Sequence, residues 1–497
     1  MITDAFIKNI RDIMRNDHNV SGDAQRMEQI AWLLFLKVFD DREKEFEVFE
    51  KGTYKSPIPL PLKWRTWASP KDGMTGEALI KFIKEDLFPT LANIPIGDKT
   101  DPRHSVVRKV MSETSNHMSE GVLLRQVVNR MNELDLTQGA DRHAMNDIYE
   151  KFLRELQDAG SAGEYYTPRP ITNFIVETVA PKLGETVLDP ACGTGGFLVG
   201  TLERFKQSSK GKADIETYQR TITGWESKPL PHILAVTNML LHGIDAPINI
   251  VRRDSLARPT VDITDDERVD CIVANPPFGG SQKDGTEKNF PKAFQTKETA
   301  DLFVYLIIQM LKPYGRAGIV MPDGFLFGSG AKSRLKEELM QKCNLHTIIR
   351  LPGGEFTPYA APKVNLLFFD KLGRTAEQGG GGTKEVWFYQ LPLPEGVGLN
   401  GFTKTMPLRD EHLDPVRKWF SSPKRSGGGL DLKNRKEGPN AWKVSMADIK
   451  ARDYNLDFKN PNSPATPDQL DPKEILEGIA KTEKEIEKIL GEIKKEV

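Results

Sequence analysis

Thr186-Val187-Leu188-Asp189-Pro190-Ala191-Cys192-Gly193-Thr194-Gly195-Gly196-Phe197 is the stretch that decides the fold. Thr186 to Leu188 reads as a short buried strand, the glycines as a tight turn, and Leu198 to Phe205 as the body of a helix. Strand, glycine turn and helix form the nucleotide-binding unit of open α/β sheets, because glycine allows both the sharp turn and close approach of a ligand to the backbone. Gly193, Gly195 and Gly196 give G-x-G-G, without the later third glycine that packs helix on strand in the dinucleotide fingerprint. The acidic Asp189 before the turn suits a cationic amino-acid ligand better than a pyrophosphate.

Working outward, Thr221 to Trp225 is the next apolar stretch and ends at Glu226, whose carboxylate can accept from both hydroxyls of a ribose. The interval from Asp189 to Glu226, 226 minus 189 or 37 residues, exceeds the ~20 usual in dinucleotide folds. An inserted polar loop, Lys206 to Glu216, accounts for the excess. A third strand, Ile248 to Val251, delivers Arg252-Arg253-Asp254, and Asp254 is placed to accept from an adenine amino group. Each acid alone also reads as a solvated strand-end residue. Together they stand at successive strand ends, where open sheets bind ligands, and the ligand inferred is S-adenosyl-L-methionine.

Val269 to Ala274 is a further apolar strand, followed by Asn275-Pro276-Pro277-Phe278. Two prolines fix their own φ and push Asn275 and Pro276 toward extended geometry, so that the Asn275 side chain and the Pro276 carbonyl project together from a stiff loop. Both supply acceptors. A planar exocyclic amine donating to two acceptors is drawn toward tetrahedral geometry, which frees its lone pair to attack a methyl group, while Phe278 can stack on the ring that carries it. The same four residues also suit an ordinary strand-ending turn. Further along, Gly279 to Thr299 is a polar stretch, read as either a mobile lid or a solvated loop. Beyond it come an amphipathic helix from Ala300 to Leu311, a buried strand from Arg316 to Met321, a helix from Ala331 to Lys342, and strands from Leu345 to Leu351 and Val364 to Phe369. This alternation is the doubly wound α/β signature.

Gly163-Glu164-Tyr165-Tyr166-Thr167-Pro168-Arg169-Pro170, the glycine turn, Gly224-Trp225-Glu226 and Asn275 to Phe278 occur in one order. In that order they make the chain resemble the modification, or methyltransferase, subunits of type I restriction-modification systems, which are S-adenosylmethionine-dependent DNA adenine-N6 methyltransferases. The likeness runs from Ala24 to Glu28 and Trp32 to Asp40 near the start to Tyr454-Asn455-Leu456-Asp457 near the end. It implies a Rossmann-like class I methyltransferase fold with seven strands, an N-terminal helical domain and a C-terminal helical tail. It also implies cofactor contacts from Glu164, Tyr165, Tyr166, Thr167, Pro168 and Arg169, from Thr194, Gly195 and Gly196, and from Glu226, with Asp189, Gly193 and Asp254 added from the reading above. Catalysis falls to Asn275, Pro276, Pro277 and Phe278. The segment before the helix Ile171 to Val179 has a structural reading too, with Thr167 as helix cap and Pro168 in the first turn. The partners implied are a specificity subunit that reads the DNA, a restriction (translocase/nuclease) subunit, double-stranded DNA with a flipped adenine, and two copies of this chain per specificity subunit.

Charge agrees with that division of labour. The 69 basic and 70 acidic residues leave a net charge of −1, whereas strong phosphate binding normally leaves a basic footprint. Three scattered cysteines argue for a reducing, cytoplasmic setting and against a disulfide framework or zinc cluster. Cytosine-C5 chemistry would want a cysteine after proline, but Cys192 follows Ala191 and Cys271 lies within an apolar strand. No metal and no membrane segment are expected.

Residues 1–145 read as a helical domain, with helical spacing over Phe6 to Met14, Arg26 to Phe49 and Gly121 to Asn132. Residues 146–420 read as the methyltransferase domain, opened by a helix from Asn146 to Gln157 and the linker Gly160 to Gly163. Gly379 to Gly382 mark an insertion or hairpin loop. Residues 421–470 read as a flexible linker and extended segment, basic over Ser421 to Asn440, and residues 471–497 as an interaction helix. In that helix Ile475, Ile479, Ile486, Ile489 and Ile493, with Thr482 filling one slot, make a seam about three heptads long, expected to pack on the specificity subunit or a second copy of this chain. Two other readings stay open here. A protein-glutamine or RNA-guanine methyltransferase shares the Asn-Pro-Pro-aromatic loop, but the helical N-terminal region and the seam weigh against it. A noncatalytic assembly scaffold is opposed by the intact pair of motifs.

Overall fold

The structure is a computed structural model. It describes residues 4–50, 52–134, 149, 166–209, 211–278, 285–357, 362–373, 382–394, 397, 401–420 and 435–462. The expected helix from Asn146 to Gln157, apart from Tyr149, its linker, most of the basic 421–440 stretch and the isoleucine seam lie outside the described residues.

The N-terminal region is helical: α1 (Asp4–Arg15), α2 (Asp23–Phe49), α3 (Pro102–Ser112) and α4 (Gly121–Met131) are its longer elements. α2 buries Trp32, Phe35 and Phe39 completely, and from Gln29 to Asp41 it is buried at every position, polar residues included, because it is packed on more than one side. The methyltransferase part follows in chain order as α5 (Arg169–Val179), β1 (Val187–Asp189), α6 (Gly196–Ser208), α7 (Lys212–Thr221), β2 (Ile222–Glu226), α8 (Pro229–Leu241), β3 (Ile250–Arg252), β4 (Val269–Ala274), α9 (Thr299–Met310), β5 (Leu311–Pro322), α10 (Ala331–Lys342), β6 (Cys343–Arg350), β7 (Val364–Lys371), β8 (Glu385–Gln390) and β9 (Ala441–Ser445). α2 lies against α8. Polar anchors cross the same boundary: His232 Nδ1 is 2.9 Å from Glu113 Oε2, and Arg42 pairs with Asp245.

Among the described residues the strands form one sheet in the order β3-β2-β1-β4-β5-β7-β6-β8-β9. β3 to β5 run parallel to one another and β7 runs antiparallel between β5 and β6. The sheet is thus mixed and has nine strands, two more than the seven implied by the resemblance. β8 extends β6 in parallel and β9 closes on β8 antiparallel. The four buried residues Val386 to Tyr389 make β8 a core strand.

Three local expectations are corrected. The polar insertion from Lys206 to Glu216 is mostly helical: α6 continues to Ser208 and α7 begins at Lys212, after Gly211. Lys, Ala, Glu, Gln and Arg are good helix formers, and buried Tyr218 fixes α7 to the core. The helix expected as amphipathic, α9, is buried at every position except Gln309, so it is a core helix rather than a surface one. The polar stretch before it is pinned over its described part: Phe290 is buried, Phe294 stacks 4.7 Å from Tyr305, and Asn289 Nδ2 donates to the Leu256 carbonyl at 2.8 Å.

Glycine does at Gly224 what the missing third glycine of the turn would have done. A Cβ there would lie 2.6 Å from Leu198 Cδ1 and 3.0 Å from Cys192 Sγ, so the strand-side glycine lets α6 sit close on the sheet.

Candidate active site

Chain order reverses between β1 and β4. From β1 the sheet grows one way through β2 and β3, and from β4 the other way through β5. Diverging connections leave a crevice at the carboxyl ends of the two central strands. A cavity of about 420 Å³ occupies that place, within the usual range for small-molecule sites. Its walls come from Pro190 to Thr194 after β1, Trp225 to Lys228 after β2, Arg253 to Ser255 after β3, and Asn275, Pro277 and Phe278 after β4, with Thr167, Gly196, Phe197, Thr299 and Phe303 completing it.

The glycine turn is shaped by positive φ at Gly193 and Gly195 and is tied from three sides. Cys192 N donates to the Trp225 carbonyl, Asn238 Nδ2 to the Thr194 carbonyl at 2.9 Å, and Ser255 Oγ to the Pro190 carbonyl. Arg169 Nη1 donates to the Gly196 carbonyl, bringing the segment before α5 against the start of α6.

Glu226, 8% exposed, accepts from Gly193 N on Oε2 at 3.0 Å and from Lys228 N on Oε1 at 2.8 Å. Burial pushes its pKa above the ordinary glutamate value, against the pull of these backbone donors. The carboxylate is held in one orientation; Oε1 also accepts from Ser227 Oγ at 3.4 Å, a long bond that a ligand hydroxyl can displace, and Oε2 keeps a further lone pair. Asp254 turns the chain by accepting from Leu256 N and also lines the cavity.

Asp189 stands differently from the sequence expectation. It is fully buried behind the turn and does not line the cavity wall. One oxygen accepts from Ala191 N at 3.0 Å; Oδ2 has no hydrogen-bond partner. Burial first, and the nearby Glu226 charge after it, push its pKa well above the usual carboxylate value.

Asn275 occupies the opposite wall. Its Nδ2 donates to Thr167 Oγ1 at 2.9 Å, and its Oδ1 is buried without a hydrogen-bond partner. The side chain therefore presents its oxygen as the unused acceptor. Pro276 is buried beside it, and Phe278 is half-buried between the two apolar cores on either face of the sheet. Thr167 is not the cap of α5: Pro168 holds that position without a side-chain hydrogen bond, and Pro170 is the proline of the first turn. Tyr166 and Arg169 lie next to the cavity but, like Pro168 and Gly195, do not line it. Gly195 instead faces Ala235 of α8. Glu164 and Tyr165 lie outside the described residues.

Sequence reasoning assigned no role to Trp225, Lys228, Arg253, Ser255, Thr299 or Phe303. The Arg253 guanidinium lies 4.2 Å from the centroid of the Trp225 ring, so one residue after β3 braces another at the end of β2. Their adjacency to Glu226 and Asp254 was the available signal. The three cysteines are buried, and burial raises each thiol pKa, to about 12 for Cys343. Among the described residues no group of three or more His, Cys, Asp or Glu side chains could hold a metal ion, and no helix is long and apolar enough to cross a membrane.

A cofactor-sized cavity at the switch point, walled on one side by the glycine turn and on the other by Asn275, whose buried amide oxygen has no hydrogen-bond partner, is matched by a family comparison. Residues 140–469 fit the N-6 DNA methylase family, and residues 3–131 fit the HsdM N-terminal domain. The chain belongs to the N-6 DNA methylase family. Within that family it is similar to the EcoEI type I restriction enzyme methylase subunit of Escherichia coli, 47% identical over 99% of this chain and 97% of the relative. It is similar also to the EcoKI methylase subunit of E. coli strain K12, 30% identical over 84% of this chain and 76% of the relative. A solved chain from Vibrio vulnificus YJ016, described as a modification subunit of a type I restriction enzyme, superposes with a TM-score of 0.79 at 40% identity, covering 93% of this chain and 96% of its own. This N-6 DNA methylase is thus a type I methylase subunit in sequence and in fold, and an adenine-specific DNA methyltransferase in activity.

Proposed function

We propose that the methyl donor is S-adenosyl-L-methionine, held between the glycine turn and Glu226, and that the acceptor is an adenine flipped out of duplex DNA onto Asn275. The observation that carries this reading is the buried Asn275 Oδ1, unpartnered, on a residue that lines the same cavity as Glu226, Gly193, Thr194 and Gly196. A buried acceptor without a donor costs on the order of 1–3 kcal/mol, which an incoming N–H recovers.

The residues present fit this cofactor. Glu226 has lone pairs for vicinal hydroxyls, the start of α6 and the turn offer backbone N–H groups, Asp254 supplies an acceptor at the far end, and Asp189 behind the turn is an acid whose burial disfavours its charge until a cationic ligand draws it out. When bound, the cofactor supplies an electrophilic methyl group on a sulfonium. Asn275 Oδ1 and the Pro276 carbonyl accept the two N6 protons of adenine and so localise the nitrogen lone pair. Pro276 and Pro277 keep that pair of acceptors rigid, and Phe278 stacks on the base. Catalysis is then a matter of position and hydrogen bonding, with no covalent enzyme intermediate.

Tyr166, Thr167, Pro168 and Arg169, with Glu164 and Tyr165 before them, contribute to the cofactor side of the same site. A cytoplasmic assembly with a specificity subunit, a restriction subunit and two copies of this chain per specificity subunit follows from the type I likeness; a relative of 37% identity and TM-score 0.76 was itself solved in work on complex assembly of a type I R-M system. Because the net charge is near zero, DNA binding rests on that assembly. Transfer of labelled methyl from S-adenosyl-L-methionine to DNA, with and without the specificity subunit, tests the proposal: label on adenine N6 that depends on the partner supports it, and label on protein or RNA but never on DNA defeats it.

A further inference from the structure

Asn275 can present either end of its amide to the cavity, and only one end serves. With Oδ1 inward it accepts from an exocyclic amine. With Nδ2 inward two donors would face each other. The loop prolines restrict the backbone but do nothing to choose between the two ends of the amide.

The choice is made by a residue 108 positions earlier in the chain. Thr167 Oγ1 accepts from Asn275 Nδ2 at 2.9 Å, and Thr167 lines the cavity. A threonine hydroxyl has one proton and two lone pairs, so by itself it could hold either end of an amide. Its proton decides. If that proton is given to an acceptor on a ligand bound against the glycine turn, the oxygen has only lone pairs to offer, and Asn275 must turn its NH2 toward it. The segment carrying Thr167 is fixed for this task, since Arg169, two residues on, is bonded to the Gly196 carbonyl at the start of α6.

We infer that Thr167 is a positioning residue for methyl transfer: its hydroxyl spans the cofactor and base halves of the cavity and fixes the Asn275 amide with Oδ1 toward the adenine. The inference rests on the reading of Asn275 given above. It makes occupancy of the cofactor half the event that sets the base half.

The test uses the full chain assembled with its specificity subunit, unmethylated duplex DNA carrying the recognised sequence, and S-adenosyl-L-methionine. Rates of methyl transfer are measured beside cofactor dissociation constants from calorimetry, for Thr167→Val, Thr167→Ser, Asn275→Ala and the double variant Thr167→Val/Asn275→Ala. Thr167→Val should lower kcat at saturating cofactor on the order of tenfold, as expected for loss of one orienting hydrogen bond, beside a loss of cofactor affinity of no more than about the same size, because the same hydroxyl donates to the cofactor. Thr167→Ser, which keeps the hydroxyl, should recover most of the rate. In the Asn275→Ala background Thr167→Val should add no further loss, because the group it orients is gone. Three results would overturn the inference: kcat at saturating cofactor within twofold of the parent for Thr167→Val, a Thr167→Val loss in the Asn275→Ala background as large as in the parent, or a serine variant as slow as the valine. Full activity of Asn275→Ala is a separate outcome that removes the reading beneath it.

Discussion

On the wall formed by the glycine turn and Glu226, the carboxylate rests on two main-chain N–H groups and the turn is tied by several main-chain and side-chain donors, whereas on the wall formed by Asn275 one side-chain hydroxyl holds the amide. The first wall is part of the sheet's own construction, since Gly193, Cys192 and Lys228 donate through main-chain N–H groups that any sequence at those positions would possess. The second depends on residue identity at Asn275 and Thr167. The difference separates two properties of the enzyme: cofactor affinity should decline gradually as single side chains change, and turnover should fall sharply when one amide is lost.

The largest expected effect is on the second wall. Asn275→Ala removes the acceptor aimed at the amine, and loss of a pre-oriented polar group of this kind typically lowers kcat on the order of 100-fold or more. Cofactor affinity should stay within about twofold, because among the described residues Asn275 is hydrogen-bonded through its side chain to Thr167 and not to Glu226 or the turn. Rates of labelled methyl transfer alongside calorimetry give both values. Equal loss of both would merge the two walls into one unit and break the comparison.

Next in size is the first wall. Glu226→Ala deletes two hydrogen bonds to backbone N–H groups as well as the ligand's acceptors, so Gly193 N and Lys228 N lose their partner. A charged hydrogen bond contributes about 1.5–3 kcal/mol, so loss of the equivalent of one such bond to the ligand should lower cofactor affinity on the order of tenfold to a hundredfold. At saturating cofactor kcat should recover to near the parent value, and a kcat that stays low would show that Glu226 also orders the base side.

The architecture was legible where chemistry and secondary structure coincide. Glycines at 193, 195 and 196 and the diproline after β4 constrain the backbone themselves, so the turn, the strand ends and the fold class could be read from local sequence. Contacts between distant segments could not. Nothing local to Thr167 distinguishes a helix cap from a partner of Asn275, and the stacking of Arg253 on Trp225 needs β2 and β3 to be neighbours first. β8 and β9 went unread because they belong to an edge extension beyond the doubly wound core, with no site motif to mark them. The polar insertion was misread because polarity reports exposure, while helix propensity in Lys212 to Arg220 reports conformation.

Asp189 gives the smallest effect and the finest test of what the backbone-built wall does. Its side chain is fully buried with one unpartnered oxygen, and its folded-state pKa is raised by burial. A carboxyl whose pKa is raised on folding contributes stability that is fully present below its unfolded value, near 4, and is lost as pH rises through the folded value. Asp189→Asn removes that titration. The cofactor-free variant should therefore gain in thermal midpoint over the parent as pH is raised from about 4 toward 8, with the two curves closest at the acid end. Cofactor affinity should move the other way, since the asparagine cannot become anionic when a cationic ligand binds in front of it. A variant less stable than the parent at every pH, with unchanged cofactor affinity, would make Asp189 a packing residue of the turn and leave the cationic part of the ligand to be balanced by Glu226 and Asp254 alone.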